Sequence, residues 1–220
     1  MSRYVFDIET KKTSDEVGGW GNKHKMGIAV LCLKDLDSGE EFVVSDSYPG
    51  AIPLNKLFGF VDGNTLIGHN IMAFDWKLVL EYFYRNGFDI KVKTNLIDTK
   101  VGRMSLERIT RALFNTKKVM DGSLAPSEWR RGLSSKTKVV EYCKDDVSKT
   151  YDVFKYGLDN GFIKYYNGDD ICTVNVSWEL ALENEPKIQY PACFGGYAEL
   201  KKEYQCKKCA FRNICRKNES

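Results

Sequence analysis

Apolar residues along the chain change period several times, and the changes mark its elements. Tyr4-Val5-Phe6-Asp7-Ile8 is a short apolar run that predicts a buried strand, followed by a second strand over 26–33 and a third over 41–44. Asp37-Ser38-Gly39 supplies the turn between the last two. After Pro53, the spacing of Leu54, Leu57 and Phe58 is helical, and Thr65-Leu66-Ile67-Gly68 reads as a short strand ending in glycine. Trp76, Leu78, Val79, Leu80, Phe83 and Tyr84 outline an amphipathic helix closed by Asn86-Gly87. The pattern then predicts a strand over 90–97 running into Asp98-Thr99, a helix over 101–116 and a loop over 122–132. A long helix opens at Ser134-Ser135 and runs through Val139, Val140, Val147, Tyr151 and Phe154 to Leu158.

Past Asn160-Gly161 the character becomes β-rich. Runs over 162–166 and 171–178 flank Asn167-Gly168-Asp169-Asp170, a hairpin signal. Residues 183–191 read as a linker into a cysteine-rich tail. Strands in a meander, then strands mixed with helices, predict an α/β protein with a mixed sheet and helices packed on it.

Composition narrows the class. With 43% hydrophobic residues and a formal charge of +3, the chain has the makings of a packed core and does not read as disordered. No run approaches the roughly 18 apolar residues of a membrane span, and no signal-peptide core follows Met1, so the expectation is a protein of the cytoplasm without membrane partners. The small net charge hides segregation. Residues 100–138 hold ten Lys and Arg against three acids, and residues 199–220 hold seven against three, which leaves the remainder acidic. Such a chain suits a protein that gathers carboxylates in one place and grips a polyanion with another.

Three acidic motifs stand out. Asp7-Ile8-Glu9 ends the first strand, and residues two apart on a strand share a side, so both carboxylates project together. Charges held so close destabilise each other unless cations neutralise them, although one of the acids could simply be a loop-facing cap. In Gly68-His69-Asn70-Ile71-Met72-Ala73-Phe74-Asp75, an acid stands in the first turn of a helix after a strand-ending glycine. The helix dipole alone would also favour an acid there. Tyr142 and Asp146, in Tyr142-Cys143-Lys144-Asp145-Asp146, are four apart and hence neighbours on one helical face.

Taken in order, Phe6-Asp7-Ile8-Glu9-Thr10, His69-Asn70-Ile71-x-x-Phe74-Asp75 and Tyr142-Cys143-x-x-Asp146 resemble the tyrosine-bearing branch of the DEDD 3′-5′ exonuclease superfamily, whose fold is ribonuclease-H-like. The wording is most similar to proofreading domains of replicative DNA polymerases and to stand-alone relatives in phages and bacteria. The resemblance covers residues 1–160. It implies that Asp7, Glu9, Asp75 and Asp146 hold two Mg²⁺ or Mn²⁺ ions about 4 Å apart. It also implies that Tyr142 orients the attacking water and that Glu9 meets the 3′-hydroxyl of the terminal nucleotide. Asn70 is expected either to position the penultimate nucleotide, to support Asp75, or only to cap the helix. Asp98 matches a family position outside the metal set. The substrate implied is single-stranded DNA, with RNA as the alternative, in a bacterial or phage-infected cytoplasm, alongside a polymerase, helicase or recombination partner. A non-catalytic nucleic-acid-binding or polymerase-clamping module is the rival from another class. No polymerase module is expected in the residues that remain.

Trp129-Arg130-Arg131 lies in the basic block and is a candidate for strand binding, since single-strand binders combine cations with stacking aromatics. Trp129 could equally plug its loop into the core. In the tail, Cys193, Cys206, Cys209 and Cys215 have the spacing of a four-thiolate metal site, with a disulfide pair as the alternative. Structural Zn²⁺ is favoured over a 4Fe-4S cluster, because the Gly195-Gly196 pair lets the backbone turn tightly around one ion. The expected organisation is therefore an exonuclease domain over 1–160, a β-hairpin and linker over 161–192, and a Cys₄ metal-binding tail over 193–220.

Overall fold

The computed structural model describes residues 1–88, 92–116 and 119–188; the four tail cysteines lie outside them. Five strands and a two-residue edge strand form one sheet: β1 (Arg3–Thr10), β2 (Ile28–Asp35), β3 (Glu41–Val44), β4 (Asn64–Gly68), β5 (Lys93–Asp98) and β8 (Lys187–Ile188). Their order is β3-β2-β1-β4-β5-β8. β1, β4 and β5 run parallel, whereas β2, β3 and β8 pair antiparallel to their neighbours. The result is the expected mixed α/β sheet with flanking helices, a ribonuclease-H-like exonuclease fold.

β1 lies near the middle of the sheet and alternates. Phe6 and Ile8 enter a core with Leu31, Leu33, Leu66, Val79 and Phe83, covered by helices α1 (Leu57–Val61) and α2 (Asp75–Arg85). Val5 points the other way, into a core with Ala29, Cys32, Val139, Cys143 and Val147. That face is covered by α5 (Leu133–Asn160), with α3 (Leu106–Phe114) and α4 (Ala125–Trp129) packed against it. A strand apolar on both faces must be buried on both, and the period of two then puts Asp7 and Glu9 on the α5 side.

Several boundaries differ from the sequence reading. The 122–132 loop contains α4, where Pro126 occupies the first turn and needs no helical N–H partner. β5 begins at Lys93, so that the expected start at Ile90 lies outside the described residues. The β-rich run after Ile171 ends at Asn175 within β7 (Asp170–Asn175), and Trp178 opens a short helix, α6 (Trp178–Leu182). The expected linker contributes β8, which pairs with Lys93 and Thr94.

The hairpin of β6 (Phe162–Asn167) and β7 packs on α3 and α5, with Ile163 fully buried. Trp178 stacks on Phe154, 5.3 Å between ring centroids. Gly157 permits this, because a Cβ there would lie 2.3 Å from the Trp178 ring. No helix among the described residues is long and apolar enough to cross a membrane.

Candidate active site

The carboxyl ends of β1, β4 and β5 face the same way, and the crevice beyond such ends is where open α/β sheets bind ligands. β4 stops at Gly68, one residue past Ile67, which pairs with Val5 of β1. β1 continues to Thr10, and its register against β2 slips between Glu9 and Thr10. A bulge of this kind re-aims side chains at a strand end. Asp7 and Glu9 thus emerge beside α5, which supplies Tyr142 and Asp146. Oxygens of Asp7, Glu9 and Asp146 lie within 4.8 Å of one another.

Asp75 comes from the opposite face, as the first residue of α2. The chain reaches it through a tight turn after Gly68. A Cβ at Gly68 would press on Ile71, 3.0 Å away, and on the Phe6 carbonyl. Asn70 takes a left-handed backbone, φ 70°. Asp75 is only 3% exposed and its Oδ1 has no hydrogen-bond partner among the described residues. An orphaned carboxylate oxygen in a buried place is costly unless something cationic meets it.

The electrostatics agree. Burial, and then the charge of Asp146, push the Asp7 carboxyl up to about 7. Burial and the charges of Asp7, Asp146 and Asp75 raise Glu9 well above its ordinary value. Asp75 is raised by burial and by Asp7, only partly offset by the nearby amides of Asp75 itself and Ile8. Without a cation, then, the cluster holds protons. All four donors are hard oxygens, with no histidine among them, which fits Mg²⁺ or Mn²⁺ and not a soft-metal site.

Tyr142 is 6% exposed and hydrogen-bonds Asp146; burial and the acids around it push its phenol above the usual range. Gly122 leaves room for its hydroxyl, which would lie 3.1 Å from a Cβ at that position. A pocket of about 150 Å³ opens beside Tyr142 and Asp146, lined also by Ser105, Leu106, Glu107, Thr110 and Lys149. Sequence reading did not single out these α3 and α5 residues, because no motif marks them.

Asp98 has a different role. Its carboxylate accepts from the backbone N–H groups of Asn70 (2.8 Å), Lys100 (2.9 Å) and Met72 (3.4 Å), and so brackets the turn that delivers Asp75. The Asn70 side chain accepts from Lys100 Nζ at 3.1 Å. His69 lies between Thr99 and the Met104 carbonyl, and burial pushes its imidazole down to about 4, so it is neutral.

The basic triplet requires a correction. Trp129 is 4% exposed and packs with Tyr48 and beneath Lys136, so it plugs α4 into the core and offers no ring face to a base. Arg130 donates to Glu16 at 2.9 Å and to the Lys11 carbonyl, and Arg131 pairs with Glu128. Arg130 thus ties the end of α4 to the 11–16 segment, whereas Arg131 pairs within its own turn, and both guanidinium groups remain largely exposed. The basic segment is therefore not a ready-made stacking platform.

No protein-family model and no curated protein sequence matches the chain. Among solved structures, the family B DNA polymerase from the hyperthermophilic archaeon Pyrobaculum calidifontis is similar, with a TM-score of 0.55 and 18% identity over 72% of this chain. The match spans 24% of the polymerase. A protein described as the apo form of a nuclease gives a TM-score of 0.49 at 17% identity, covering 70% of each chain. The exonuclease I from Methylocaldum szegediense gives 0.41 at 18% identity, over 73% of this chain and 41% of that one. At these identities the likeness to the polymerase concerns the fold.

Proposed function

We propose that the protein is a divalent-cation-dependent 3′-5′ exonuclease of the tyrosine-bearing DEDD type, removing nucleotides from single-stranded DNA ends. One observation carries the reading: the buried, unpartnered Oδ1 of Asp75 belongs to a set of carboxyls whose other members converge within 4.8 Å. Burial leaves that one oxygen without a donor among the described residues, and an acidic set so placed suits a pair of cations. Asp7, Glu9, Asp75 and Asp146 would hold them. When bound, such ions lower the pKa of an attacking water and stabilise the leaving oxygen of a phosphodiester.

The chain's own residues do the rest. Tyr142 stays protonated at neutral pH, so it orients a water as a hydrogen-bond partner and does not serve as its base. Asp146 fixes the Tyr142 hydroxyl while belonging to the acidic set. Glu9, beside the bulge, accepts from the 3′-hydroxyl of the last nucleotide in this reading. The pocket between α3 and α5, beside Tyr142, gives that nucleotide a place to lie. Asn70, held by Asp98 and Lys100, faces the preceding nucleotide.

The test is incubation of 5′-labelled single-stranded DNA with Mg²⁺ or Mn²⁺, with RNA of the same sequence in parallel and Asp7→Ala and Asp146→Ala as controls. Stepwise shortening of the DNA by the wild type alone supports the reading. Unshortened strands, or active controls, refute it, and faster RNA loss moves the assignment to an exoribonuclease. For the tail, we propose that Cys193, Cys206, Cys209 and Cys215 hold structural Zn²⁺. Stoichiometric zinc without visible absorbance is the expected result, and a brown iron-containing protein would replace it with a 4Fe-4S cluster.

A further inference from the structure

The chain contains four tryptophans, all among the described residues. Trp76, Trp129 and Trp178 are buried, whereas Trp20 is 64% exposed. An indole left in water is unusual in a chain that buries the other three. Trp20 opens a 3₁₀ turn, Trp20–Lys25, that packs on α2 and follows Gly18 and Gly19, both at positive φ. Its inner edge lies against Phe74, with centroids 6.1 Å apart and planes tilted by 60°. Phe74 immediately precedes Asp75, so the ring that Trp20 touches adjoins in sequence the acid that opens α2.

Cations gather at the same place. Lys23 sits on the 3₁₀ turn, Lys77 on the first turn of α2, with its amide bonded to the Phe74 carbonyl, and Lys100 on the Asn70 side chain. None of the three is ion-paired with a carboxylate among the described residues. Partial burial and the charges of Lys77 and Lys100 push the Lys23 ammonium below its usual value. Like charges held together without counter-ions fit an anion carrying several charges at once. A flat apolar ring beside spaced ammonium groups is the chemistry that grips a single nucleic-acid strand: phosphates on the cations, a base on the ring.

Resting on the exonuclease reading above, we propose that Trp20, Lys23, Lys77 and Lys100 form the approach surface for the single strand, in which Trp20 stacks a base and the three lysines contact phosphates outside the acidic centre. Trp20, and not Trp129, is then the aromatic of strand binding.

The full-length protein in EDTA is titrated at low salt with a short fluorescein-labelled oligothymidylate, read by anisotropy and by tryptophan emission. The wild type is expected to show quenching that Trp20→Leu lacks, and Trp20→Leu to bind about tenfold more weakly. Lys23→Gln and Lys77→Gln are expected to flatten the dependence of log K on log salt by about 0.7 each. Because Trp20 is mostly exposed, its replacement leaves the core untouched. With Mn²⁺ restored, hydrolysis of the p-nitrophenyl ester of thymidine 5′-phosphate, which reaches only the acidic centre, stays unchanged in these three variants. Equal affinity and equal salt slope in wild type and variants overturn the surface, as does equally tight binding of polyglutamate. Wild-type protein that hydrolyses neither substrate, yet loses affinity on these replacements, refutes the exonuclease reading while supporting the strand surface.

Discussion

Asp98, at the end of β5, and Asp75, at the start of α2, both border the turn after Gly68, yet their surroundings are opposite. The Asp98 carboxylate is surrounded by amides, accepting from Asn70, Met72 and Lys100. The Asp75 carboxylate is buried with an oxygen that no described residue meets, and the charge of Asp7 acts on it. A satisfied acid positions backbone. An unsatisfied one, in a cluster, stores an unfavourable interaction that only a proton or a cation relieves. The first acid helps to aim the second: the Asp98 bracket ties the left-handed turn at Asn70 to β5, in addition to the turn's own amide bonds to the Asn70 carbonyl.

The widest separation between the two should come from neutralising each. Asp75→Asn is expected to cut exonuclease activity by about three orders of magnitude, since several kcal/mol of cation-borne stabilisation is lost. The same change should raise the melting temperature of the metal-free protein at pH 8, because an amide placed there donates to Asp7 where a carboxylate repels it. A variant that keeps its activity, or that melts earlier without metal, would break the contrast.

Next in size is Tyr142→Phe, expected to lower turnover roughly 10²-fold, the usual cost of losing one positioned hydrogen-bonding group. Its KM and its metal-dependent stabilisation should stay near wild type, because the ring still fills its place beneath Gly122. A loss confined to KM would assign Tyr142 to substrate binding instead.

Asp98→Ala should behave in the reverse sense to Asp75→Asn. Charge-assisted bonds to backbone amides contribute about 1–3 kcal/mol, so thermal unfolding should move down by several degrees. Activity should fall mainly through KM, as Asn70 loses its frame. Unchanged stability would show that the bracket is not needed to hold the turn.

The smallest effect sharpens the comparison by pH. Asp7, Glu9 and Asp75 have folded pKa values raised above their unfolded ones. The folded state therefore binds protons that the unfolded state has released, between about pH 4 and pH 7 for Asp7. Metal-free stability is largest below that window and falls as pH rises through it. Thermal melts in EDTA should therefore decline from pH 5 to pH 8. The gain on adding Mg²⁺ or Mn²⁺ should grow over the same range, to roughly a few degrees. Asp75→Asn should shrink both trends, whereas Asp98→Ala should leave them in place; a pH-independent metal gain contradicts the proton-cation exchange.

Much of this was legible along the chain. Period-two alternation in β1 already put Asp7 and Glu9 on one side, and helical spacing put Tyr142 beside Asp146. The apolar runs gave the elements of the sheet, because burial on one face or two leaves a period. Other features left no local mark. The depth of Trp129 depends on Tyr48 and Lys136, which approach it through the fold. Likewise, nothing near Pro126 announces a helix five residues long.

By itself, then, the sequence determined which residue types sit on which faces, and with them a set of acids in a defined order. It could not determine which acids would be answered by amides and which left bare, nor which aromatic of two basic neighbourhoods would stay in water. Those outcomes depend on groups brought together from distant positions, such as Asp7 with Asp146 and Trp20 with Phe74. Desolvation and hydrogen-bond satisfaction are properties of the packed neighbourhood, and only the tertiary structure creates that neighbourhood.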